Sequence, residues 1–548
     1  MSLNPGTRLG VYEVTARTSL MKKRLNTPCR PEKFLVLVSL VVGLGAPAVA
    51  QDAGWEAFER GRFVEASQEA RDTLAQQPDY PRARHLRILT SFLTGDFEDV
   101  LAEYLLLPAG YGGRDEALAR VILDAYLHLD RYQEATAFAE AMGFPESQRA
   151  WLEERAARPP TVRLNRTTVV PFAEDNFLGD LMPAVMVELN GTRLVAHLDT
   201  GGAFITMSGS RARELGIEVR EVGTGVANNQ RTSVSKGLAD SLTIGDAALT
   251  NVEVATVESL TGQLESLVIL GTRILSSFLT TWDNEQSRLI LTPRGDVAAG
   301  SRHLAEHTVG VEGTDLYLRG DHFLWVNGNV DGQDTLMFLD TGLVTLDPRG
   351  DQPAGGIRRN VLDDWNVAYA DGFTEPVTVV IGPASREVSS FSVFPDARNL
   401  VGLGGVSPPV LISHGFFKHY VWTMDFDERK LYLRPVTSGE AATSGSVRAP
   451  DNAALSADAP RDDIGLSDYV GSYEVAPGVN LEVTRGDAGL LLQAPGQQRV
   501  RMTAGTDADT FEIQLAGATV VFSRDSSGQV VGLVLHQAGA QTRAAKVR

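Results

Sequence analysis

The chain carries two identical tripeptides that could form an acid–base pair. Each follows an apolar run, and the copies stand 141 positions apart: Asp199-Thr200-Gly201 in "LVAHLDTGGAFIT" and Asp340-Thr341-Gly342 in "TLMFLDTGLVTLD". Two carboxyls held about 3 Å apart cannot both ionise, because at an effective dielectric near 20 their charges repel by about 5 kcal/mol. Such a pair shares one proton, so one carboxylate can accept a proton from water while the other acid donates one.

The elements that must position these residues form two tandem units. From Thr161 to about Pro435, runs of apolar and β-branched residues alternate with turns that contain Gly, Asn and Asp, a pattern that predicts strands. The segment "LGTRILSSFLTTWDNEQSRLILTP" from Leu270 matches "ISHGFFKHYVWTMDFDERKLYLRP" from Ile412, with an offset of 142. This offset is close to 141, which indicates little insertion between matched points. Each unit would then supply half of one site.

The tandem units resemble retropepsin-like aspartic proteases, with both halves in one chain as in the pepsins. The resemblance covers residues 165–435 and rests on the two tripeptides, their apolar lead-ins, Ile269-Leu270-Gly271 and the closing Asp-x5-Leu-x-Leu strands. It implies an all-β, bilobal core that hydrolyses peptide bonds with a water activated between Asp199 and Asp340. The substrate would be a peptide or protein, and no cofactor or metal is expected.

The same resemblance implies supporting roles for the residues beside the two acids. The hydroxyls of Thr200 and Thr341 would cross-link the two catalytic loops. Gly201 and Gly342 would allow the tight turn and the close backbone approach that bring the carboxyls together.

A flap that covers the cleft is expected in the first unit, over residues 221–235. Its candidate flap and substrate-binding residues are Gly223, Gly225, Val226 and Asn228. An ordinary long hairpin is the alternative, because the segment has no tyrosine of the pepsin type. In the second unit, the nearest candidate for a flap is residues 363–373.

Several positions depart from the family pattern. Gly202 and Leu343 follow the two tripeptides, where Ala, Ser or Thr is usual, and Leu343 could narrow a substrate pocket or crowd the acids. Ser413 replaces the glycine that corresponds to Gly271, which predicts a distorted loop. His197 is expected to be a buried structural residue. These departures keep open an alternative function, a catalytically inactive peptide-binding or scaffold protein.

Residues 51–160 form a predicted helical domain with an internal repeat. "GRFVEA" begins at Gly61, "GDFEDV" at Gly95 and "DRYQEA" at Asp130, so the aromatic residue recurs after 34 and 35 positions. This period resembles tetratricopeptide repeats, and a generic array of helical hairpins is the alternative. We expect the domain to be a spacer or a contact surface for a protein partner, and to be dispensable for hydrolysis.

The remaining boundaries follow from composition. Residues 161–300 and 301–436 are the predicted first and second units, and the Ala/Ser/Gly/Pro-rich residues 437–462 read as a linker. Residues 463–548 predict short strands of a small antiparallel barrel-like domain. They resemble the accessory β-domain appended to bacterial serine-β-lactamase-like hydrolases. The stretch "HLAEH", residues 303–307, lacks the HExxH pattern of metal sites and is predicted to be a surface loop.

The first 50 residues read as an N-terminal extension and a secretory signal peptide. Basic residues precede an apolar run at 34–46, and Ala48-Val49-Ala50 provides a small-residue cleavage site. This pattern predicts a periplasmic or extracellular protein with no integral membrane segment after cleavage; an uncleaved anchor is the alternative. Cys29, the one cysteine, lies within the signal. The net charge of −19 argues against nucleic acid as a partner.

Overall fold

The computed structural model describes residues 50–547, apart from residues 112–114, 228–229, 259, 261, 348–350, 395–401, 438–465, 477–478, 487–488, 494–498, 506–507, 514–517, 526 and 538–539. The described chain begins with helices, continues as a β-rich core and ends in a barrel. This multidomain order confirms the prediction at that level. Within the described residues, no helix is long and apolar enough to span a membrane.

Seven helices form the N-terminal block, hereafter the helical block: α1 (Ala50–Glu59), α2 (Phe63–Gln76), α3 (Pro81–Thr94), α4 (Phe97–Leu105), α5 (Glu116–His128), α6 (Tyr132–Ala141) and α7 (Glu146–Ala157). The repeated motif marks the start of every second helix, because α2, α4 and α6 each begin at its aromatic residue. Two positions earlier, each copy has a backbone φ in the left-handed region: 76° at Gly61, 81° at Gly95 and 54° at Asp130. The repeat therefore encodes a recurring inter-helix turn, while kinship with tetratricopeptide repeats stays a prediction.

The helical block packs against the second unit and shares one apolar cluster with it. Phe63 is fully buried, and its ring lies 4.9 Å from that of Tyr317 and 6.1 Å from that of Trp325. The same cluster includes Phe338 and Leu411 of the second unit. Without the helices, these large apolar side chains would face water. The expectation that the block is dispensable therefore does not fit the packing, because the block completes a core of the second unit.

The β-rich core consists of 24 strands among the described residues. They are β1 (Thr161–Arg163), β2 (Thr168–Pro171), β3 (Ala184–Leu189), β4 (Thr192–Asp199), β5 (Ile205–Met207), β6 (Val219–Ala227), β7 (Gln230–Ile244), β8 (Ala247–Val257), β9 (Val268–Gly271), β10 (Phe278–Asp283), β11 (Arg288–Pro293), β12 (Thr314–Asp315), β13 (Tyr317–Arg319), β14 (Phe323–Val330), β15 (Gln333–Leu339), β16 (Gly355–Arg358), β17 (Tyr369–Ala370), β18 (Phe373–Thr374), β19 (Val377–Ile381), β20 (Ala384–Val388), β21 (Ser392–Phe394), β22 (Val410–Ile412), β23 (Tyr420–Asp425) and β24 (Lys430–Pro435). Five short helices accompany them: α8 (Gly209–Glu214), α9 (Thr272–Leu275), α10 (Val297–His307), α11 (Arg359–Trp365) and α12 (His414–Phe417).

Each unit has its own sheet with the same central arrangement. The first sheet has the order β1-β8-β5-β9-β4-β3-β7-β6, and the second runs β17-β18-β21-β16-β22-β15-β14-β19-β20 with β13 beside β14. In the first sheet, β9 is parallel to β4 and antiparallel to β5. In the second, β22 is parallel to β15 and antiparallel to β16. The matched sequence offsets therefore correspond to matched strand pairings.

A third sheet joins the units, with the order β12-β24-β23-β10-β11-β2. At its centre, equivalent residues of the two units face each other, since Thr281 pairs with Thr423 and Trp282 with Trp422. The two threonine hydroxyls are 2.6 Å apart, and the two indole rings have centroids 4.6 Å apart. Self-pairing of equivalent residues is the mark of a local twofold axis, which passes between β10 and β23.

The stretch "HLAEH" lies at the end of α10, so the predicted surface loop is wrong. His303 is 3% exposed and bonds through both ring nitrogens, at 2.6 Å to the hydroxyl of Thr281 and at 2.8 Å to that of Thr292. Asp296 caps the helix by accepting a hydrogen bond from the Ala299 N–H at 3.0 Å. The predicted boundary between residues 300 and 301 falls inside this helix.

The C-terminal strands form a closed antiparallel barrel, as predicted: β25 (Gly471–Ala476), β26 (Val479–Gly486), β27 (Gly489–Gln493), β28 (Arg499–Ala504), β29 (Thr510–Ile513), β30 (Ala518–Arg524), β31 (Val530–Gln537) and β32 (Ala540–Lys546). Its interior holds its own apolar cluster, which includes Tyr473, Leu490 and Phe522. Because the barrel is closed, every strand has a hydrogen-bonded neighbour on both sides and no edge strand remains among its described residues. The barrel therefore has the features of an independent folding unit. Most of the predicted linker lies outside the described residues.

Candidate active site

The two aspartates lie at equivalent places at the ends of buried strands. Asp199 ends β4 opposite Gly271 of the parallel strand β9. Asp340 directly follows β15, and its N–H donates to the carbonyl of Ile412 at 2.9 Å. Both aspartates are fully buried. This placement explains the apolar run before each Asp-Thr-Gly. Each run forms a buried strand, and the end of that strand brings the aspartate to the interface between the units.

The two threonines bond reciprocally across that interface. The N–H of Thr200 donates to the hydroxyl of Thr341 at 2.9 Å, and the N–H of Thr341 donates to the hydroxyl of Thr200 at 3.1 Å. The Thr200 hydroxyl also donates to the Leu339 carbonyl at 2.8 Å, and the Thr341 hydroxyl to the Leu198 carbonyl at 3.3 Å. Both residues are fully buried. Each loop therefore fixes the backbone of the other.

The two carboxyls come together over Gly201. A methyl group on Gly201 would lie 2.7 Å from Cγ of Asp340 and 3.1 Å from Oδ1 of Asp199, so these atoms are at most 5.8 Å apart, the sum of the two distances. Oδ1 of Asp199 accepts hydrogen bonds from the N–H of Gly201 at 2.7 Å and of Gly342 at 3.0 Å. Glycine is required at position 201 because any side chain there would displace the Asp340 carboxyl.

The electrostatics of the pair favour a retained proton. Burial raises the pKa of Asp199 well above its ordinary value, and the neighbouring Asp340 carboxyl raises it further. The backbone N–H groups of Gly201, Gly342 and Gly202 oppose this shift by stabilising the charged form. The raised pKa favours retention of a proton on the pair at a pH where an exposed carboxyl would lose it.

The predicted flap is a long hairpin formed by β6 and β7. Its strands shift register at a bulge between Glu221 and Gly223, and Gly223 has a φ of 155°. Gly225 and Val226 lie further out on β6, where they pair with Thr232 and Arg231 of β7. Asn228, the fourth candidate, lies outside the described residues.

Helix α7 holds the base of this hairpin. The Ser147 hydroxyl donates to the Val222 carbonyl at 3.2 Å, and Arg220 forms an ion pair with Glu154. Trp151 packs in one apolar cluster with Val222 of the hairpin. The helical block is therefore in contact with the hairpin as well as with the second unit.

In the second unit, the candidate flap segment forms only the end of α11 and a hairpin of two-residue strands, β17 and β18. The additional residues of the second unit lie instead in the loop that follows Asp340. The Gly271 N–H donates to the carbonyl of Phe204, five positions after Asp199, whereas the Ser413 N–H donates to that of Ala354, fourteen positions after Asp340. The matched offsets hid this difference, because a longer loop and a shorter flap compensate.

The departures from the family pattern have structural explanations. Leu343 is 2% exposed and packs in the cluster shared with the helical block, which accounts for an apolar side chain at this position. Ser413 precedes α12 as its N-cap, as Gly271 precedes α9; its hydroxyl donates to the Pro353 carbonyl at 2.8 Å and accepts from the Gly415 N–H at 3.1 Å. His197 is 2% exposed and bonds to Asn176 at 2.9 Å, and burial lowers its pKa to about 4.

Two positioning contacts were not anticipated. The Thr272 hydroxyl donates to the Thr200 carbonyl at 3.0 Å, which ties α9 to the first catalytic loop. The amide of Gln352, in the longer loop of the second unit, donates to the Leu181 carbonyl of the first unit at 2.8 Å. The position of Thr272 directly after Ile269-Leu270-Gly271 was the available signal for the first contact, whereas no sequence pattern marked the second. Within the described residues, no group of three His, Cys, Asp or Glu side chains could hold a metal ion.

Family models match two parts of the chain. Residues 185–274 match the aspartyl protease family, and residues 457–546 match a domain of unknown function (DUF3471). No curated protein matches the chain. Among solved structures, a retropepsin-like aspartic protease from Rickettsia conorii is similar at 17% identity and a TM-score of 0.18, over 24% of this chain and 93% of that one. Residues 185–274, which include Asp199, are thus similar to the aspartyl protease family, and Asp340 lies outside the matched residues.

Proposed function

We propose that the protein is an aspartic endopeptidase whose single active site combines Asp199 and Asp340. The observation that carries the proposal is the reciprocal bonding of Thr200 and Thr341, because it joins the two loops so that both carboxyls border Gly201. A lone Asp-Thr-Gly at the end of a strand would need no such contact.

In the proposed reaction, the pair begins with one carboxylate and one carboxylic acid. The carboxylate accepts a proton from a water molecule as the water oxygen bonds to the peptide carbonyl carbon. The carboxylic acid donates its proton to the carbonyl oxygen, which gives a neutral diol intermediate. The carboxyl protonated in the first step then donates its proton to the amide nitrogen, while the other carboxylate accepts a proton from a diol hydroxyl as the C–N bond breaks. The products are a carboxylic acid and an amine, and the pair again holds one proton.

The test is cleavage of a random peptide library by the full chain across pH, with and without pepstatin. The proposal expects endoproteolytic products that pepstatin suppresses. Peptide binding without cleavage at any pH would contradict the proposal and favour the alternative of an inactive peptide-binding protein.

We also propose that the protein acts in the periplasm or outside the cell, on the evidence of the signal pattern in residues 1–50. Residues 1–49 of that segment lie outside the described residues. N-terminal sequencing of the protein recovered from its native compartment should find Gln51 at the first position. An N-terminus upstream of the apolar run would contradict cleavage.

A further inference from the structure

A cavity of about 510 Å³ lies between the helical block and both β-units, a volume typical of ligand sites. Helices α5 and α7 form one wall, and strands β6 to β8 form another. Residues 319–323 of the second unit close a third side. The wall also includes Ala203 and Phe204, which follow the first Asp-Thr-Gly almost directly. We call this cavity the interdomain crevice.

Positive charge predominates in the crevice although the whole chain carries −19. The lining has four acidic residues, Asp124, Asp130, Glu253 and Asp321, against six basic ones: Arg120, Arg155, Lys236, Arg273, Arg294 and Arg319. Two of the basic residues pair with carboxylates, since Lys236 bonds to Glu253 and Arg294 to Asp427, each at 2.5 Å. The crevice is thus a local cationic region in an acidic protein.

Two other arginines, Arg155 and Arg273, bond only to neutral acceptors. Arg155 is 5% exposed and donates to the Asn251 carbonyl at 2.7 Å and to the Tyr132 hydroxyl at 3.3 Å. Arg273 donates to the Leu127 carbonyl at 3.0 Å and to Nδ1 of His128 at 2.5 Å. Among the residues that the structure describes, neither arginine has a carboxylate partner.

A third arginine, Arg120, is held more loosely. It approaches the amide oxygen of Gln148 at 3.4 Å and lies over the ring of Phe144, with 5.1 Å between the guanidinium carbon and the ring centroid. It too has no carboxylate partner in the described part of the chain. Arg120 can therefore be changed with little effect on packing between the domains.

Burying a guanidinium without an anion is unfavourable, because the neutral acceptors replace only part of its hydration. An anionic ligand in the crevice would supply the missing charge through charge-assisted hydrogen bonds.

The crevice lies within reach of the acids. Phe204 follows Asp199 by five positions, so the chain between them spans at most about 18 Å. A bound peptide could cover that distance with about five extended residues.

We propose that the interdomain crevice binds a carboxylate-bearing segment of the peptide substrate, so that the protein selects acidic peptides. This inference rests on the proposed function, because it assigns the substrate class of the same site. Lys236 lies between the crevice and the candidate active site. It lines the crevice and belongs to the β6–β7 hairpin, and its ammonium lies 5.3 Å from the centroid of the Phe204 ring.

The experiment measures binding without cleavage. Full-length Asp199→Asn protein is titrated against fluorescein-labelled hexaglutamate at pH 7, and anisotropy gives the dissociation constant. Unlabelled hexaglutamine serves as the competitor of equal length without charge. A chain of net charge −19 has no general attraction for an anionic peptide, so tight binding of hexaglutamate reports a local cationic site.

Adding Arg120→Gln or Arg155→Gln to this protein should each weaken hexaglutamate binding about tenfold, as expected for loss of a charge-assisted hydrogen bond. The matched control is Arg166→Gln, whose side chain is 81% exposed outside the crevice and which should leave binding unchanged. Arg155 also bridges to the first unit, so circular dichroism checks its folding; Arg120→Gln keeps the test decisive if Arg155→Gln unfolds.

Hexaglutamate binding no tighter than that of hexaglutamine would overturn the inference, and so would equal affinity in the folded Arg120→Gln protein. The two proposals fail separately. Hexaglutamate binding to a wild-type protein that cleaves no peptide would refute the peptidase and leave the crevice site standing. Cleavage by a wild-type protein whose Asp199→Asn form does not bind hexaglutamate would refute the crevice site alone.

Discussion

The hydroxyl of Thr200 lies 3.4 Å from that of Thr341, and each accepts a hydrogen bond from the backbone N–H of the other residue. These residues are equivalent members of the two units, so the contact lies on the local twofold axis. The same relation holds for Thr281 and Thr423 in the joining sheet. The approach of the two carboxyls is thus fixed at two levels, by the sheet and by the loops.

The change Thr200→Ala should lower stability and activity together. It removes a buried hydroxyl that accepts from Thr341 and donates to Leu339, and it leaves those backbone groups unpaired, at a cost of about 1–3 kcal/mol. Urea unfolding and peptide hydrolysis measure the two effects. Thr200→Ser is the matched control because it keeps the hydroxyl; a Thr200→Ala protein as stable and active as Thr200→Ser would show that the cross-link has no role.

The change Asp199→Asn should stabilise the folded protein near pH 7. Because burial and Asp340 raise the pKa of Asp199, the native state holds a proton that the unfolded state releases above pH 4, so stability falls as pH rises toward the folded-state pKa. An amide does not titrate, so the variant escapes this loss, which amounts to about 1.4 kcal/mol for every tenfold difference in proton affinity between the two states. Thermal unfolding from pH 4 to 8 measures it; parallel curves for the two proteins would contradict the raised pKa.

Buried histidines should make the protein lose stability in acid. Burial lowers the pKa of His303, His322 and His414 to about 3 each, so the unfolded state binds protons that the native state excludes. Stability is complete above about pH 6.5 and is lost as pH falls toward 3. The change His303→Gln should reduce the slope of the unfolding free energy against pH by about 1.4 kcal/mol per pH unit. Glutamine can bond the hydroxyls of Thr281 and Thr292 as the imidazole does, but it does not titrate. An unchanged slope would mean that His303 titrates normally.

The change Phe63→Ala should destabilise the β-rich core although it lies in the helical block. The ring is fully buried against Tyr317 and Trp325, so its loss should cost about 3–5 kcal/mol. Val64→Ala is the matched control, since Val64 is 53% exposed and should change stability by less than about 0.5 kcal/mol. Chemical unfolding followed by tryptophan fluorescence measures both.

A fragment of residues 159–437 provides a second test of the contact between the helical block and the β-rich core. It should aggregate or bind a hydrophobic dye, because it exposes Trp325, Phe338 and their neighbours. A soluble fragment with native stability would show that the helical block is only an appendage.

The sequence was most informative where function imposes a local pattern. The two Asp-Thr-Gly units, the Gly201 turn and the strand ends were predictable, because close approach of carboxyls requires particular residues at fixed spacing. The helical repeat was visible for a similar reason, since each inter-helix turn needs a left-handed residue followed by a buried aromatic.

Contacts between distant segments were not predictable. The periodicity of α2 shows that Phe63 faces a core, but not that Trp325 belongs to it. Leu343 beside the second Asp-Thr-Gly suggested a crowded pocket, whereas its side chain packs in the cluster shared with the helical block. His303 looked like part of a surface loop because the threonines that bond its ring are 11 and 22 positions away. Such contacts depend on the fold as a whole.

The most direct test of the central claim is the hydrolysis rate of Asp199→Asn and Asp340→Asn beside the wild type, on a peptide that the wild type cleaves. An asparagine amide can neither accept the proton of water nor donate one to the carbonyl oxygen, and it is nearly isosteric with aspartate. We predict that each variant keeps the wild-type circular dichroism spectrum and shows no hydrolysis above background. Full activity in either folded variant would contradict a site in which Asp199 and Asp340 share one proton.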